Sequence, residues 1–140
     1  MDKTFFMLKP DAMPYETNVL ILLDSKLTII EYKRITLSEH LFKKIYAQII
    51  RDPSIPALKE YLNENSCGIG IVNSSIDSLI ELSGKNTAPQ HCESYTIRFM
   101  YGGGWGYTKS GLRVLRNAIH RPKTVEQNTI QVELLYDGVI

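Results

Sequence analysis

Short apolar runs separated by polar turns predict the elements of this chain. Residues 4–8 form a compact apolar run that ends at a Lys-Pro-Asp triplet, and residues 27–35 and 67–72 form two further runs rich in apolar and β-branched side chains. Runs of this length, bounded by Pro, Asp, Gly or Ser, are typical of strands. A fourth, shorter run over 116–120 ends in a histidine. The pattern therefore predicts four strands.

Helical signals fill the segments between these runs. Ser38 is a good N-cap, and Asp52 followed by Pro53 marks the end of the same segment. Thr124 and Gln127 stand at the spacing of a capping box, which predicts the start of the last helix. The first segment is apolar on nearly all sides, and the others carry an apolar face. The predicted helices cover 17–25, 38–51, 55–63, 76–82 and 124–135.

The alternation of strands and helices predicts an α+β fold of the ferredoxin-like type. Such a fold is a sandwich, a four-stranded antiparallel sheet with helices packed on one face. A chain of 140 residues has the size of one domain, so we expect a single domain over 1–140. Residues 84–115 show little periodicity and are rich in glycine, which predicts a long irregular segment that is either functional or flexible.

Composition narrows the class of protein without naming a partner. Apolar residues make up 44% and charged residues 22% of the chain, and the net charge is +1, so the basic excess of nucleic-acid or membrane-surface binding is absent. The chain begins directly with a predicted strand and has no apolar stretch of membrane-spanning length, which predicts a cytoplasmic protein. Cys67 and Cys92 lack metal-site spacing and are expected to be free thiols.

Two residues at predicted strand ends are candidates for chemistry. His120 precedes a helix N-terminus, where the helix dipole favours bound negative charge, and an imidazole can attack a phosphoryl group. Lys9 ends the first strand and is placed to bind an anion at the rim of the sheet. Taken alone, a histidine that only packs and a solvated lysine remain open alternatives. The choice between a chemical role and these alternatives depends on other segments of the sequence.

Four separated segments, in order along the chain, resemble the nucleoside diphosphate kinases. Residues 4–12, TFFMLKPDA, resemble their N-terminal strand motif, and residues 84–98 their nucleotide-covering loop. Residues 116–120, RNAIH, with the TVE that follows at 124–126, resemble their active-site histidine segment. Residues 46–61 resemble the helical hairpin that clamps the base. This family has the ferredoxin-like fold predicted above.

The resemblance implies an enzyme, a nucleoside diphosphate kinase. It would transfer the γ-phosphoryl group of a nucleoside triphosphate such as ATP to a nucleoside diphosphate, in a ping-pong reaction through a phosphohistidine on His120. The implied cofactor is Mg²⁺, held largely by the phosphates of the nucleotide, with no metal ligands from protein side chains. A homo-oligomer built from dimers, a tetramer or a hexamer, is also implied.

The resemblance also implies a role for each matched residue. Lys9 and Arg98 would neutralise phosphate oxygens, and Tyr46 would orient His120 or carry a proton beside it. Thr87, with Asn86 beside it as a candidate second donor, would form hydrogen bonds to the phosphates, and Asn117 would bind the sugar hydroxyl. The positions that face the base are Ser54 and Leu58.

The chain departs from the family pattern at several of these places. Ser54 stands where the family usually has a phenylalanine that stacks on the base, and the acidic residue that supports the histidine is Gln131. Arg121 follows the histidine, where a small residue is usual, and could add positive charge beside the phosphate. The phosphate-binding arginine expected in 76–82 has no counterpart, and the candidates to replace it are Lys85, Lys109 and Arg113.

An insertion over about 102–111 approaches the Walker A pattern, but it has Thr108 where that pattern requires glycine, so a P-loop is not expected. A flexible hairpin that exposes Trp105 and Tyr107, as a subunit contact or a lid over the nucleotide, is the preferred interpretation. The departures also motivate an alternative function, a catalytically impaired nucleotide-binding or assembly protein on the same fold. A third possibility is an oligomer subunit that binds no nucleotide.

Overall fold

The computed structural model describes residues 2–136, and the account of the fold refers to these residues. Three short 3-10 turns, at Met13–Tyr15, Ala47–Ile49 and Pro89–His91, connect longer elements. The helices and strands in chain order are β1 (Thr4–Leu8), α1 (Glu16–Leu27), β2 (Ile29–Ile35), α2 (Glu39–Ile45), α3 (Ile55–Asn63), β3 (Cys67–Val72), α4 (Ile76–Ser83), α5 (Ile97–Tyr101), β4 (Gly104–Tyr107), β5 (Arg113–Arg116), β6 (Ile119–His120) and α6 (Val125–Tyr136).

The four strands expected from the apolar runs form one antiparallel sheet in the order β2-β3-β1-β6. Central strand β1 pairs with β3 along its whole length and with the two residues of β6 at its end. In that second pairing Met7 lies opposite His120 and Leu8 opposite Ile119. The register therefore brings the histidine beside the end of β1, where Lys9 follows.

Helices cover both faces of this sheet, so the prediction of helices on one face is wrong. Phe5 and Met7 belong to a core shared with α2, α3 and α6, whereas Phe6 and Leu8 belong to a second core shared with α1, α4 and α5. Successive side chains of a strand point to opposite faces, and every residue of β1 is buried. An unbroken apolar run is typical of a strand covered on both sides, whereas one solvated face produces alternation.

Several element boundaries differ from the prediction. Leu27 is the last residue of α1 and not the first of β2, because Thr28 adopts a positive φ of 62° and Asp24 caps the turn by accepting a hydrogen bond from Ile29 N–H at 2.8 Å. Helix α2 ends at Ile45, and the segment reaches residue 51 through a 3-10 turn instead of a continuous helix. Within residues 2–136, no helix is both long and apolar enough to span a bilayer.

The predicted caps of α2 and α6 are present. Ser38 accepts a hydrogen bond from Leu41 N–H at 3.2 Å, and Thr124 accepts one from Gln127 N–H at 3.2 Å. The Gln127 side chain in turn accepts from Lys123 N–H at 2.8 Å, one residue earlier than in the standard capping box. These bonds satisfy donors at a helix start and fix where α6 leaves the strand that carries His120.

The segment 84–115, expected to be irregular, contains α5 and a two-stranded hairpin of β4 and β5. Arg116 donates to the carbonyls of Gly103 at 3.1 Å and Gly104 at 3.1 Å, which ties the guanidinium across the hairpin. A Cβ at Gly106 would lie 2.6 Å from the Arg116 guanidinium carbon, so a larger residue there would displace the arginine from these carbonyls. Local turns and glycines, rather than an apolar period, build this segment, so its strands leave little signal in the sequence.

Candidate active site

A cavity of about 380 Å³ opens where the end of β1, β6, the hairpin and the turn after α2 meet. It is lined by all eight residues to which the resemblance assigns a catalytic or nucleotide-binding role. They are Lys9, Tyr46, Ser54, Leu58, Thr87, Arg98, Asn117 and His120.

His120 is held in one tautomer by its neighbour on α6. Its Nε2 lies 3.0 Å from Gln131 Oε1, and the amide nitrogen of the same glutamine donates to the carbonyl of Ile45 at 3.2 Å. Because the amide N–H is directed to Ile45, the amide oxygen faces the ring and accepts from Nε2–H. A neutral ring with its proton on Nε2 leaves the Nδ1 lone pair free.

The ring is strongly biased to this neutral form. Burial, followed by the nearby charge of Lys9, lowers the pKa of His120 from 6.5 to about 3, and Arg98 and Arg121 act in the same direction. The hydrogen bond to Gln131 raises the pKa but does not offset the other effects. The imidazole is therefore uncharged at neutral pH, which is the state a nucleophilic nitrogen needs.

Tyr46 lies against this ring with a hydroxyl that has no partner. The two ring centroids are 5.0 Å apart, and Phe42 packs on the other side of the tyrosine at 5.1 Å. Among the described residues, the Tyr46 hydroxyl is the one buried side-chain polar atom without a hydrogen bond. Burial raises its pKa, so it keeps its proton. A buried unpaired donor costs about 1–3 kcal/mol, and one that lines a cavity is suited to a polar ligand.

Lys9 brings a buried ammonium to the floor of the cavity. Its Nζ donates to Asn117 Oδ1 at 2.8 Å, and Asn117 Nδ2 donates to the carbonyl of Thr87 at 3.0 Å. Burial, then the charge of Arg98, lowers the pKa of Lys9 to about 7, while Asp11 raises it. An anion bound beside Lys9 would favour the charged form and raise its pKa again.

Two buried guanidinium groups complete a cationic cluster with Lys9. Arg98 is 4% exposed and donates to the carbonyls of Ile119 at 2.9 Å and Asn86 at 3.0 Å. Arg121 is 5% exposed and donates to Ser83 Oγ at 3.1 Å and to the carbonyl of Gly84 at 2.9 Å. Burial and the charge of Arg121 lower the pKa of Arg98 to about 10.

Within residues 2–136, no protein carboxylate forms an ion pair with this cluster, and Asp11 acts on it only through its charge, which raises the pKa of Lys9. The salt bridges found within residues 2–136 involve other cations, and none of the residues that line the cavity is Asp or Glu. Three buried cations that donate mainly to neutral oxygens are costly unless an anion joins them. The inner end of the cavity is therefore suited to a polyanion such as a chain of phosphates.

Asp11 holds the frame of the site together, a role that sequence reasoning missed. One carboxylate oxygen accepts from the backbone N–H of Ala118 at 2.9 Å and of Gly103 at 3.0 Å. The other accepts from the Tyr61 hydroxyl on α3. The carboxylate thus links the end of β1, the hairpin, α3 and the approach to β6. The aspartate directly after Lys9-Pro10 was the available signal, and it was interpreted only as a strand breaker.

The structure distinguishes between the candidates for the missing phosphate-binding arginine. Arg113 lines the cavity, whereas Lys85 pairs with Glu81 at 3.3 Å and Lys109 lies in the turn of the hairpin; neither lysine lines the cavity. Arg121 reaches the end of α4 from another element, which matches the region where the arginine was expected. In the loop itself, the Asn86 side chain accepts from Ala88 N–H at 2.9 Å and caps the turn, and the cavity is lined by Thr87.

Metal-ligating side chains are not gathered at the site. Within residues 2–136, no group of three or more His, Cys, Asp or Glu side chains is arranged to hold a metal ion. Both cysteines are free thiols, as expected: Cys67 on β3 is buried in the core shared with α2, α3 and α6, and Cys92 contacts the Asn86 carbonyl at 3.1 Å.

One comparison with known proteins identifies a family. A family model described as "Nucleoside diphosphate kinase" matches residues 2–139. No curated protein matches the chain.

Solved structures of low identity share the fold. The chain is similar to the apo nucleoside diphosphate kinase of Encephalitozoon cuniculi, with 22% identity and a TM-score of 0.78 over 96% of this chain and 88% of that one. The Aquifex aeolicus nucleoside diphosphate kinase has 19% identity and a TM-score of 0.80 over 99% and 96%. For the halophilic nucleoside diphosphate kinase of Halobacterium salinarum in complex with CDP, the values are 21% and 0.80 over 99% and 89%.

These findings confirm two predictions made from the sequence. The similarity to solved structures confirms the ferredoxin-like α+β fold. The family model extends over nearly the whole sequence, and so the chain belongs to the nucleoside diphosphate kinase family of enzymes.

Proposed function

We propose that this protein is a catalytically competent nucleoside diphosphate kinase with His120 as the phosphoryl carrier. In this proposal, a nucleoside triphosphate such as ATP donates its γ-phosphoryl group to the histidine, and a nucleoside diphosphate then accepts it. The observation that carries the proposal is a neutral histidine with a free Nδ1, fixed by Gln131 beside buried cations that lack carboxylate partners.

The first half-reaction needs no general base at the histidine. The Nδ1 lone pair attacks the γ-phosphorus, an Nδ1–P bond forms, and the bond from that phosphorus to the bridging oxygen breaks. The nucleoside diphosphate leaves with the bridging oxygen and its electron pair. The second half-reaction reverses these steps with another diphosphate. Because Nε2–H already donates to Gln131, positive charge that develops on the ring is stabilised by the amide oxygen.

The buried cations would stabilise negative charge that shifts along the phosphates. Lys9, Arg98 and Arg121 meet at the inner end of the cavity, where a low dielectric strengthens their attraction for phosphate oxygens. The folded protein already holds these cations buried and in position, so they need not rearrange when the phosphoryl group moves. The unpaired Tyr46 hydroxyl is available to donate to a phosphoryl oxygen beside His120.

The remaining lining residues are assigned to the rest of the nucleotide. We assign Thr87 to the phosphates and Asn117 to the sugar hydroxyl, and Ser54 and Leu58 to the more exposed end that would take the base. Mg²⁺ would accompany the phosphates and add positive charge there, since the lining residues include no carboxylate to bind it. The CDP bound by the structurally similar Halobacterium salinarum enzyme supports a nucleotide ligand. The homo-oligomer and the cytoplasmic location stay predictions.

Transfer of radiolabel from γ-labelled ATP tests the proposal. Purified protein is incubated with Mg²⁺ and γ-labelled ATP, and the label on protein is followed before and after addition of unlabelled GDP. We expect an acid-labile label that GDP removes, with label appearing in GTP. His120→Ala should abolish it, and His91→Ala, a histidine outside the cavity, should label normally. Labelling that survives His120→Ala would overturn the proposal.

A nucleotide-binding protein without catalysis is the second candidate, and Gln131 is the observation that favours it. A neutral amide stabilises a positively charged ring less than a carboxylate would, so phosphohistidine formation could be lost while binding is kept. Calorimetry with ADP, run beside the labelling, separates the two functions. Binding of ADP without any label would establish this candidate.

A further inference from the structure

The cavity changes in character from its inner end to its mouth. Lys9 at the inner end is 6% exposed, whereas Trp105, which also lines the cavity, is 50% exposed. Apolar side chains accompany the tryptophan among the lining residues, namely Ile45, Ile49, Leu58, Val114 and Leu115. A site with buried cations at one end and a half-exposed indole at the other has the polarity of a nucleotide, with charged phosphates and a flat base.

Trp105 is a half-exposed aromatic residue among those that line this cavity. Three aromatic rings are among the lining residues, those of Tyr46, His120 and Trp105. Tyr46 and His120 pack on one another, and the tyrosine is buried. Trp105 instead carries the Arg113 guanidinium over its ring, 4.1 Å from the centroid, and Arg113 lines the cavity too. Cation–π contact of this kind orients an indole without hiding its whole surface.

The hairpin holds this tryptophan by hydrogen bonds at both ends, whereas the sequence predicts a flexible hairpin that is a subunit contact or a lid. At its base, Gly103 N–H donates to Asp11, and Arg116 donates to the Trp105 carbonyl at 3.3 Å. At its turn, the backbone N–H of Ser110 donates to Glu60 on α3 at 3.0 Å, and that of Lys109 donates to Glu64, the residue after α3, at 2.9 Å. Trp105 therefore stands at the cavity as a fixed wall, and a ligand that stacks on it loses little entropy from ordering the loop.

We propose that Trp105, oriented by Arg113, is the platform on which the base of a bound nucleotide stacks. The assignment rests on the proposed function, because it takes the inner end of the cavity as the phosphate site. Every base has a π face, so stacking on an indole tolerates base identity. The platform would thus give affinity for nucleosides in general, with larger purines gaining more contact than pyrimidines.

Fluorescence tests this assignment directly, because the sequence contains one tryptophan. Indole emission is titrated with ADP and, separately, with inorganic tripolyphosphate, which has the charge but no base. We expect saturable quenching by ADP and none by tripolyphosphate, although calorimetry detects binding of both. Binding of ADP without a change in emission, equal quenching by both ligands, or failure of ADP to bind at all would each overturn the platform.

A pair of variants on the hairpin provides the second readout. Trp105→Ala should weaken ADP binding about tenfold and leave tripolyphosphate binding unchanged, and Trp105→Phe should restore most of the affinity. Tyr107→Ala is the matched control, since Tyr107 is 72% exposed on the same strand and does not line the cavity. Equal ADP affinity for Trp105→Ala and Tyr107→Ala would overturn the proposal. Both readouts measure binding, so a failure of phosphoryl transfer alone would contradict the kinase and not the platform.

Discussion

The inner end and the mouth of the cavity are stabilised in opposite ways. At the inner end, Lys9 after β1, Arg98 on α5 and Arg121 after β6 are buried. They donate hydrogen bonds to neutral oxygens of the protein, as Arg98 does to the Ile119 carbonyl. At the mouth, Trp105 and Arg113 are held by each other and by a hairpin anchored on Asp11 and α3. Changes at the inner end should therefore affect both phosphate binding and the chemical step, whereas changes at the mouth should affect affinity alone.

Removal of the Lys9 charge should have the largest effect. Lys9→Met keeps a stem of similar length but deletes the ammonium that faces Asn117, so negative charge on the phosphates loses a buried partner. We expect kcat/KM to fall by about 100-fold to 1,000-fold, the range for loss of one preorganised electrostatic donor. Lys85→Met, a control on an exposed lysine paired with Glu81, should be unaffected. Equal activity of Lys9→Met and Lys85→Met would contradict the role of the Lys9 charge at the phosphates.

Removal of the Arg121 charge should have the second largest effect. It reaches the end of α4 and contributes the third buried positive charge at the site. Arg121→Met should slow phosphoenzyme formation about tenfold to 100-fold, less than Lys9→Met, because Lys9 and Arg98 remain. Thermal unfolding measured in parallel separates a loss of packing from a loss of charge. An unchanged rate of labelling in a folded variant would exclude Arg121 from the phosphate site.

Nucleotide affinity should depend on pH through Lys9. Its pKa is lowered to about 7 in the free protein, so the ammonium loses its proton as pH rises above that value. Bound phosphate favours the charged form, and binding above pH 7 must therefore take up a proton. The affinity for ADP should fall by close to tenfold per pH unit between about pH 7 and 9 and level off below pH 7. In calorimetry, the ADP affinity of Lys9→Met should not change with pH in this range. A pH dependence that persists in this variant would assign the titration to a group other than Lys9.

Ser54→Phe should have the smallest effect, at the mouth. If the base already stacks on Trp105, a phenylalanine ring at position 54 adds only a second contact to that base. ADP affinity should then improve by less than about threefold. In the Trp105→Ala background the same change should restore affinity by about fivefold or more, which double-mutant analysis of ADP binding would reveal. Equal gains in both backgrounds would show that the two positions do not share the base.

The sequence anticipated the inner end better than the mouth. Lys9, Arg98 and His120 lie at ends of apolar elements or in matching motifs, so their convergence could be predicted before the structure was known. Gln131, which forms a hydrogen bond with His120, could be identified from the sequence only as a residue that departs from the family pattern. Which tautomer it fixes depends on the Ile45 carbonyl, a contact between residues 86 positions apart that no local pattern encodes.

The hairpin shows why the mouth was harder to predict. Glycines and a bridging arginine build β4 and β5. These strands therefore lack the run of apolar residues by which the strands of the main sheet could be predicted. Trp105 was identified as an exposed aromatic residue, but its place at the cavity follows from Asp11, Glu60 and Glu64, which act at a distance along the chain. Helices on both faces of the sheet were missed although the unbroken apolar runs of β1 and β3 carried that signal.

The most direct test of the central claim identifies the nitrogen that carries the phosphoryl group. Protein labelled with nitrogen-15 at histidine is phosphorylated by ATP and Mg²⁺, and its ring nitrogens are assigned by NMR before and after transfer. The geometry predicts a neutral His120 with its proton on Nε2 beforehand and phosphorus coupled to Nδ1 afterwards. Phosphorus on Nε2, or on a histidine other than His120, would contradict the account.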